Sequence, residues 1–176
     1  MAQRTTSRPS TALIAAIVTT VAVLIVGVIL FATTRGNTSS GSSGGNGWVN
    51  AVSTDLKVAP VAHGSSTPLG SSVVTHDVVV GTGPVATVGD TVTVQYVGAS
   101  YTSGAVFDSS WSRGQAAQFS LSGVIPGFAQ GIVGMHVGGR RVIEIPSALG
   151  YGAAGSPPAV SANEDLVFIV DLVSIP

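Results

Sequence analysis

No cysteine occurs in the chain, so thiol nucleophiles, disulfides, thiolate metal sites and lipid attachment through a cysteine are excluded, while the redox compartment stays undecided. Charge is scarce as well: charged residues make up 9% of the chain, low for a soluble protein even after its apolar N-terminal segment is discounted. Arg4, Arg8 and Arg35 flank that segment, which leaves four basic residues against eight acidic ones elsewhere. Nucleic acid is therefore not an expected partner. His63, His76 and His136 stand apart, without paired spacing or a carboxylate pair, so neither a metal site nor a cofactor is expected. Ser109 and Ser110 have no histidine nearby in sequence, no phosphate loop ending in Gly-Lys-Ser/Thr is present, and Gly134 to Gly139 (GMHVGG) does not fit dinucleotide spacing.

What the chain does have is Val, Gly, Ala, Ser and Thr, and, at 176 residues, room for one ordinary domain with an appendage. Residues 12–32 read ALIAAIVTTVAVLIVGVILFA, without charge or proline. As a helix this run spans roughly 31 Å, the thickness of a bilayer core. It is longer than a signal-peptide apolar region and lacks a clean Ala-x-Ala after it, which favours a transmembrane signal-anchor; late cleavage, giving a secreted domain, is the alternative. Arg4 and Arg8 put residues 1–11 in the cytoplasm by the positive-inside rule, so the remainder is expected to be membrane-anchored and extracytoplasmic. The Gly/Ser-rich linker at 33–47 has nothing to bury and reads as flexible coil. Residues 48–71, with Pro60 and Pro68 and no regular period, read as an extended lead-in. Trp48 there is either a staple onto the following domain or an anchor at the lipid interface.

Strand signals dominate from residue 72 onward. Val73 to Val80 ends in the turn GTGP; Thr91 to Val97 follows Gly89-Asp90 and puts Val92, Val94 and Tyr96 on one face. Gln118 to Leu121 is short, Arg140 to Ile145 follows Gly138-Gly139, and Leu166 to Val173 places Leu166, Phe168, Val170 and Leu172 together. Half-buried antiparallel strands are predicted. A single short helix is expected from Pro126, with Phe128 and Ile132 one turn apart and Gly134 as its stop. The predicted class is α+β, an antiparallel sheet wrapped around one short helix, preceded by a single transmembrane helix.

Aromatic residues Tyr96, Phe107, Phe119, Phe128, Tyr151 and Phe168 are dispersed over this region, and a small sheet-plus-helix fold brings several together either as a core or as a cleft. Asp108 and Arg113 form a charge pair in what reads as a loop, FDSSWSRG, where a surface ion pair is the ordinary explanation.

The order of segments is more specific than any single residue. VQYVG at 94–98, VFDSS at 106–110, VIPGF at 124–128, GMHVGGRRVIEIP at 134–146, LGYGAAG at 149–155 and LVFIVDL at 166–172 resemble, in register, the FKBP family of peptidyl-prolyl isomerases over residues 72–176. The resemblance implies an FKBP-like fold and a pocket with Tyr96, Phe107, Asp108 and Tyr151 as its catalytic set. Arg113, Phe119, Val124, Ile125, Phe128 and Phe168 would complete it as substrate-binding residues, Phe128 as the floor. Asp108 and Arg113 would pair at the edge, with Asp108 near the Tyr96 hydroxyl, and Tyr151 would point its hydroxyl at the substrate carbonyl. Three positions depart from the family pattern: Phe128 replaces the common floor Trp, Ala117 a pocket-side Phe, and Ser156 a frequent His. The first narrows the apolar platform and the others reduce rim contacts.

The implied activity is peptidyl-prolyl cis/trans isomerisation assisting the folding of extracytoplasmic proteins. The implied partners are X-Pro segments of folding proteins and macrolides of the rapamycin type, with the membrane reached through residues 12–32. A proline-binding or chaperone-like module of the same fold without turnover is the alternative, and a structural extracellular β-domain a more distant one.

Overall fold

The computed structural model describes residues 47–176. The predicted cytoplasmic segment at 1–11, the membrane span at 12–32 and all but the last residue of the linker at 33–47 lie outside the described residues. Among the described residues no helix is long and apolar enough to cross a membrane.

Six strands form one antiparallel sheet: β1 (Val74–Val79), β2 (Thr91–Ser100), β3 (Val106–Ser109), β4 (Ala117–Ser120), β5 (Arg140–Ile145) and β6 (Leu166–Ser174). Their spatial order is β1-β5-β6-β2-β3, with β4 also pairing β2. The two short strands share one edge of β2: β4 runs beside its first half, from Thr91↔Ser120 to Val94↔Ala117, and β3 beside its second half. Between them the chain makes an excursion, Ser110 to Ala116, that carries Arg113. β2 is longer than predicted, because Gly98 does not end it but continues the ladder opposite Phe168. β3 was expected to be loop. With four residues and a register irregularity it offers no alternation to read.

The one α-helix among the described residues, α1 (Pro126–Ile132), has Pro126 in its first turn, where a missing N–H costs nothing, and Gly134 with φ +84° follows it. The helix packs close to the sheet because Gly127 and Gly131 carry no side chain: a Cβ on either would lie 2.3 Å from a methyl of Ile145 or Ile143. Phe128 and Ile132 thereby enter the main apolar cluster, with Val92, Val94, Tyr96, Ile143, Ile145, Leu166, Phe168, Val170 and Leu172.

The opposite face of the sheet is covered too, which corrects the half-buried reading of its central strands. Val142, Val167 and Ile169 have no exposed surface, and Ala99 and Tyr101 join them beneath Val52, Trp48, Val49, Ala62 and Leu69. The lead-in is thus packed onto the domain, and Trp48 acts as a staple. Beneath it lies an ion pair that the sequence reading missed. Arg140 donates from Nε to Asp171 Oδ1 at 2.5 Å and from Nη2 to Asp171 Oδ2 at 2.7 Å, both residues being buried. The same guanidinium donates to the carbonyls of Ser53 at 2.7 Å and Val58 at 3.0 Å, so it fastens the lead-in to the sheet.

Candidate active site

The sheet's helix-side face closes at β2, β3, β4 and β6 into a group of five rings. Phe128 is at its centre, with ring centroids 5.0 Å from Phe168, 5.9 Å from Phe119 and 6.3 Å from Tyr96, all edge-to-face. Phe107 stands against Phe168 at 5.6 Å and Tyr96 against Phe119 at 5.7 Å. Edge-to-face contact at these distances is the favoured arrangement of aromatic quadrupoles, so the rings hold one another as well as the core. Tyr96, Phe128 and Phe168 are buried, whereas Phe107, Phe119, Val124, Ile125 and Tyr151 are half-buried and pack against the same cluster. The buried rings therefore form a base continuous with the core, and the half-buried residues leave apolar surface exposed beside it.

Phe107 and Asp108 are consecutive in a strand, and regular alternation would send them to opposite faces. The register shows how both reach the site. Gly98 pairs with Asp108 and Ala99 with Val106, so Phe107 is an extra residue, a β-bulge of the kind that re-aims a side chain. At the far end of β3 the buried Ser110 accepts a hydrogen bond from the Tyr96 N–H at 2.8 Å, and its own N–H donates to the Tyr96 carbonyl at 3.1 Å. Ser110 therefore pins β3 to the backbone of Tyr96. Sequence reasoning gave it no role; its only signal was its place in the VFDSS segment.

The polar edge is a closed triangle. The Tyr96 hydroxyl donates to Asp108 Oδ2, Arg113 Nη1 donates to Asp108 Oδ1, and Arg113 Nη2 donates to the Tyr96 hydroxyl at 2.9 Å. The guanidinium carbon also lies 5.6 Å from the centre of the Tyr96 ring, in cation–π range. Burial and the hydrogen bond to Asp108 push the Tyr96 hydroxyl pKa well above that of free tyrosine. Burial, and behind it the Asp108 charge, push the Tyr151 hydroxyl up as well. Desolvation lowers the Arg113 pKa, but the Asp108 and Tyr96 bonds outweigh it and the net shift is upward. Both phenols therefore stay protonated and Arg113 stays charged.

All ten predicted site residues thus belong to one continuous region, with Arg113 the most exposed of them. Of the three departing positions, Ala117 is half-buried against the cluster, Phe128 lies at its centre, and Ser156 is tied back by its N–H to the Val160 carbonyl at 2.9 Å. Among the described residues no group of three His, Cys, Asp or Glu side chains converges in a way that could hold a metal.

An antiparallel sheet packed on one short helix, with an aromatic cluster edged by a Tyr-Asp-Arg triangle, places the chain in the class of FKBP-like folds. Solved structures agree. The chain superposes on a peptidyl-prolyl cis-trans isomerase from Pseudomonas syringae with a TM-score of 0.54 and 30% identity, over 58% of this chain and 74% of that one. On FkpA from Escherichia coli the TM-score is 0.56 with 36% identity, over 65% and 51%. Residues 83–173 match the FKBP-type peptidyl-prolyl cis-trans isomerase family, and the chain belongs to that family. Its relatives include a "Probable FK506-binding protein" of Corynebacterium glutamicum, 48% identical over 61% of this chain and 90% of the relative. An FK506-binding protein of Streptomyces anulatus is 46% identical over 56% and 82%.

Proposed function

We propose that the chain isomerises X-Pro bonds of extracytoplasmic proteins at the aromatic cleft, with residues 12–32 holding the domain near a membrane. The observation that carries the reading of the site is the continuity of five edge-to-face rings with a polar triangle whose hydrogen-bonding capacity is turned inward. Partial double-bond character gives the X-Pro amide a barrier of about 18 to 20 kcal/mol. In the transition state the amide is twisted and carries less charge separation than the planar form. A cleft that removes it from water therefore favours the twisted form over the ground state.

Phe107, Phe168, Val124 and Ile125 surround the pyrrolidine ring in this proposal, and Phe128 supports it from below. Tyr151, kept protonated by burial, donates to the substrate carbonyl and fixes the proline in place. Tyr96, Asp108 and Arg113 hold the wall on which Phe107 is mounted. No proton is transferred and no bond is broken. The relatives are named for binding FK506, and that ligand, like macrolides of the rapamycin type, would occupy the same apolar surface.

Ala117 and Phe128 leave less apolar wall than the family pattern, which favours one second reading: proline binding without turnover. Exchange spectroscopy on an X-Pro peptide separates the two. The full-length chain is expected to broaden or exchange the cis and trans proline signals at substoichiometric concentration. Shifted signals without accelerated exchange would establish the binding module instead.

A further inference from the structure

We propose that Gly98 is a positioning residue of the cleft, whose missing side chain makes the seat for both Phe107 and Phe168. Gly98 faces Asp108 of β3 on one side and Phe168 of β6 on the other, so it lies under the junction of the two strands that carry these rings. A Cβ there would be 2.7 Å from Phe168 Cε1 and 3.0 Å from both Cε2 and Cζ of Phe107. Gly98 is not among the glycines with positive φ, so its backbone conformation does not call for glycine. Space for the rings is the remaining reason. The two rings meet edge-to-face at 83° directly over this position. A methyl group beneath them cannot be absorbed by a close-packed base, so at least one ring must rise into the volume that the proline ring would occupy. The inference rests on the reading of the cleft as the site of isomerisation.

The test compares Gly98→Ala with the unaltered full-length chain, in turnover of an X-Pro peptide per folded molecule, thermal midpoint, and the aromatic resonances of Phe107 and Phe168. Gly131→Ala, which meets Ile143 in the closed core, is the control for a glycine that only packs helix on sheet. Gly98→Ala is expected to lower kcat/KM about tenfold and to shift both sets of ring resonances. Gly131→Ala is expected to lower the midpoint while leaving turnover per folded molecule within about twofold. In a Phe168→Leu background, which removes the ring atom of closest approach, the effect of Gly98→Ala is expected to shrink to about threefold or less.

Unmoved ring resonances, or a Gly98→Ala loss that is undiminished in the Phe168→Leu background, would overturn the proposal. If Gly98→Ala alone does not fold, the double variant is expected to fold, and failure of both is also contrary. Inactivity of the unaltered chain removes the reading of the cleft, whereas an active chain indifferent to Gly98→Ala removes only the role of Gly98.

Discussion

Asp108 spends both carboxylate oxygens on protein donors, Tyr96 on one and Arg113 on the other, so in the proposed mechanism it anchors the cleft wall and does not act as a base. Asp108→Asn keeps the shape but weakens the charge-assisted bond to Arg113, and it is expected to lower kcat/KM with little change in thermal midpoint. On the proposed role of Tyr151 as donor to the substrate carbonyl, Tyr151→Phe removes one hydrogen bond worth about 1 to 1.5 kcal/mol, so kcat/KM should fall roughly tenfold. A large loss of stability with unchanged turnover per folded molecule would make both residues framework. The pH profile follows from the same groups. Tyr96 and Tyr151 hold their protons more firmly than free tyrosine, and no histidine lies among the site residues, so turnover should be flat between about pH 6 and pH 9. For stability, a phenol whose pKa is raised on folding contributes fully below its unfolded value of 10.0; that contribution is lost as pH rises beyond it. Urea midpoints should therefore hold at pH 9 and fall above about pH 10. A bell-shaped rate profile centred near pH 6.5 would place a histidine in the chemistry. The grouping of the ten candidate residues was legible because they fall in or between segments with a family spacing. Ser110 and Gly98 were not, since one acts by a backbone hydrogen bond across strands and the other by an absence of atoms.

At the scale of elements, the helix and five of the six strands were readable from alternation, turn residues and the proline at the helix start. β3 was not, because its bulge interrupts the period at the place where two neighbouring side chains must share a face. The lead-in reads as an extended segment, but how much of it packs on the sheet was not legible, for a different reason. Its apolar residues Trp48, Val49, Val52, Ala62 and Leu69 are irregularly spaced, since they meet a sheet without being part of it. The clue lay in β6, where Leu166 to Val170 is an unbroken apolar run, as a strand covered on both faces requires. Arg140 ties the lead-in down: it is fully buried, bidentate to Asp171, and bonded to two lead-in carbonyls. Arg140→Met should strand the Asp171 charge and cost about 3 to 5 kcal/mol, measured by urea unfolding. Adding Asp171→Leu should recover much of that loss. A single substitution that costs less than about 1 kcal/mol would mean the clamp contributes nothing.

For the whole molecule, the distribution of charge bears on where the domain works. Among the described residues Arg113, Arg140 and Arg141 are each in an ion pair, which leaves Lys57 as the one cation outside such pairs. Asp55, Asp90, Glu164 and Asp165 accept from backbone N–H groups of nearby turns. Among the described residues no cluster of unpaired basic side chains is available to hold the domain on anionic lipid, so the proposed membrane association is expected to depend on residues 12–32. The full-length chain should stay with membranes through washes with high salt and alkaline carbonate; release by either wash, or a mature chain beginning near Gly36, would remove the anchor. The central claim, that the aromatic cleft catalyses X-Pro isomerisation, is tested most directly by turnover of an X-Pro peptide by the full-length chain titrated with a rapamycin-type macrolide. Acceleration that falls to the uncatalysed rate at one macrolide per chain is the predicted result, and acceleration that persists at saturating macrolide, or none at all, would contradict it.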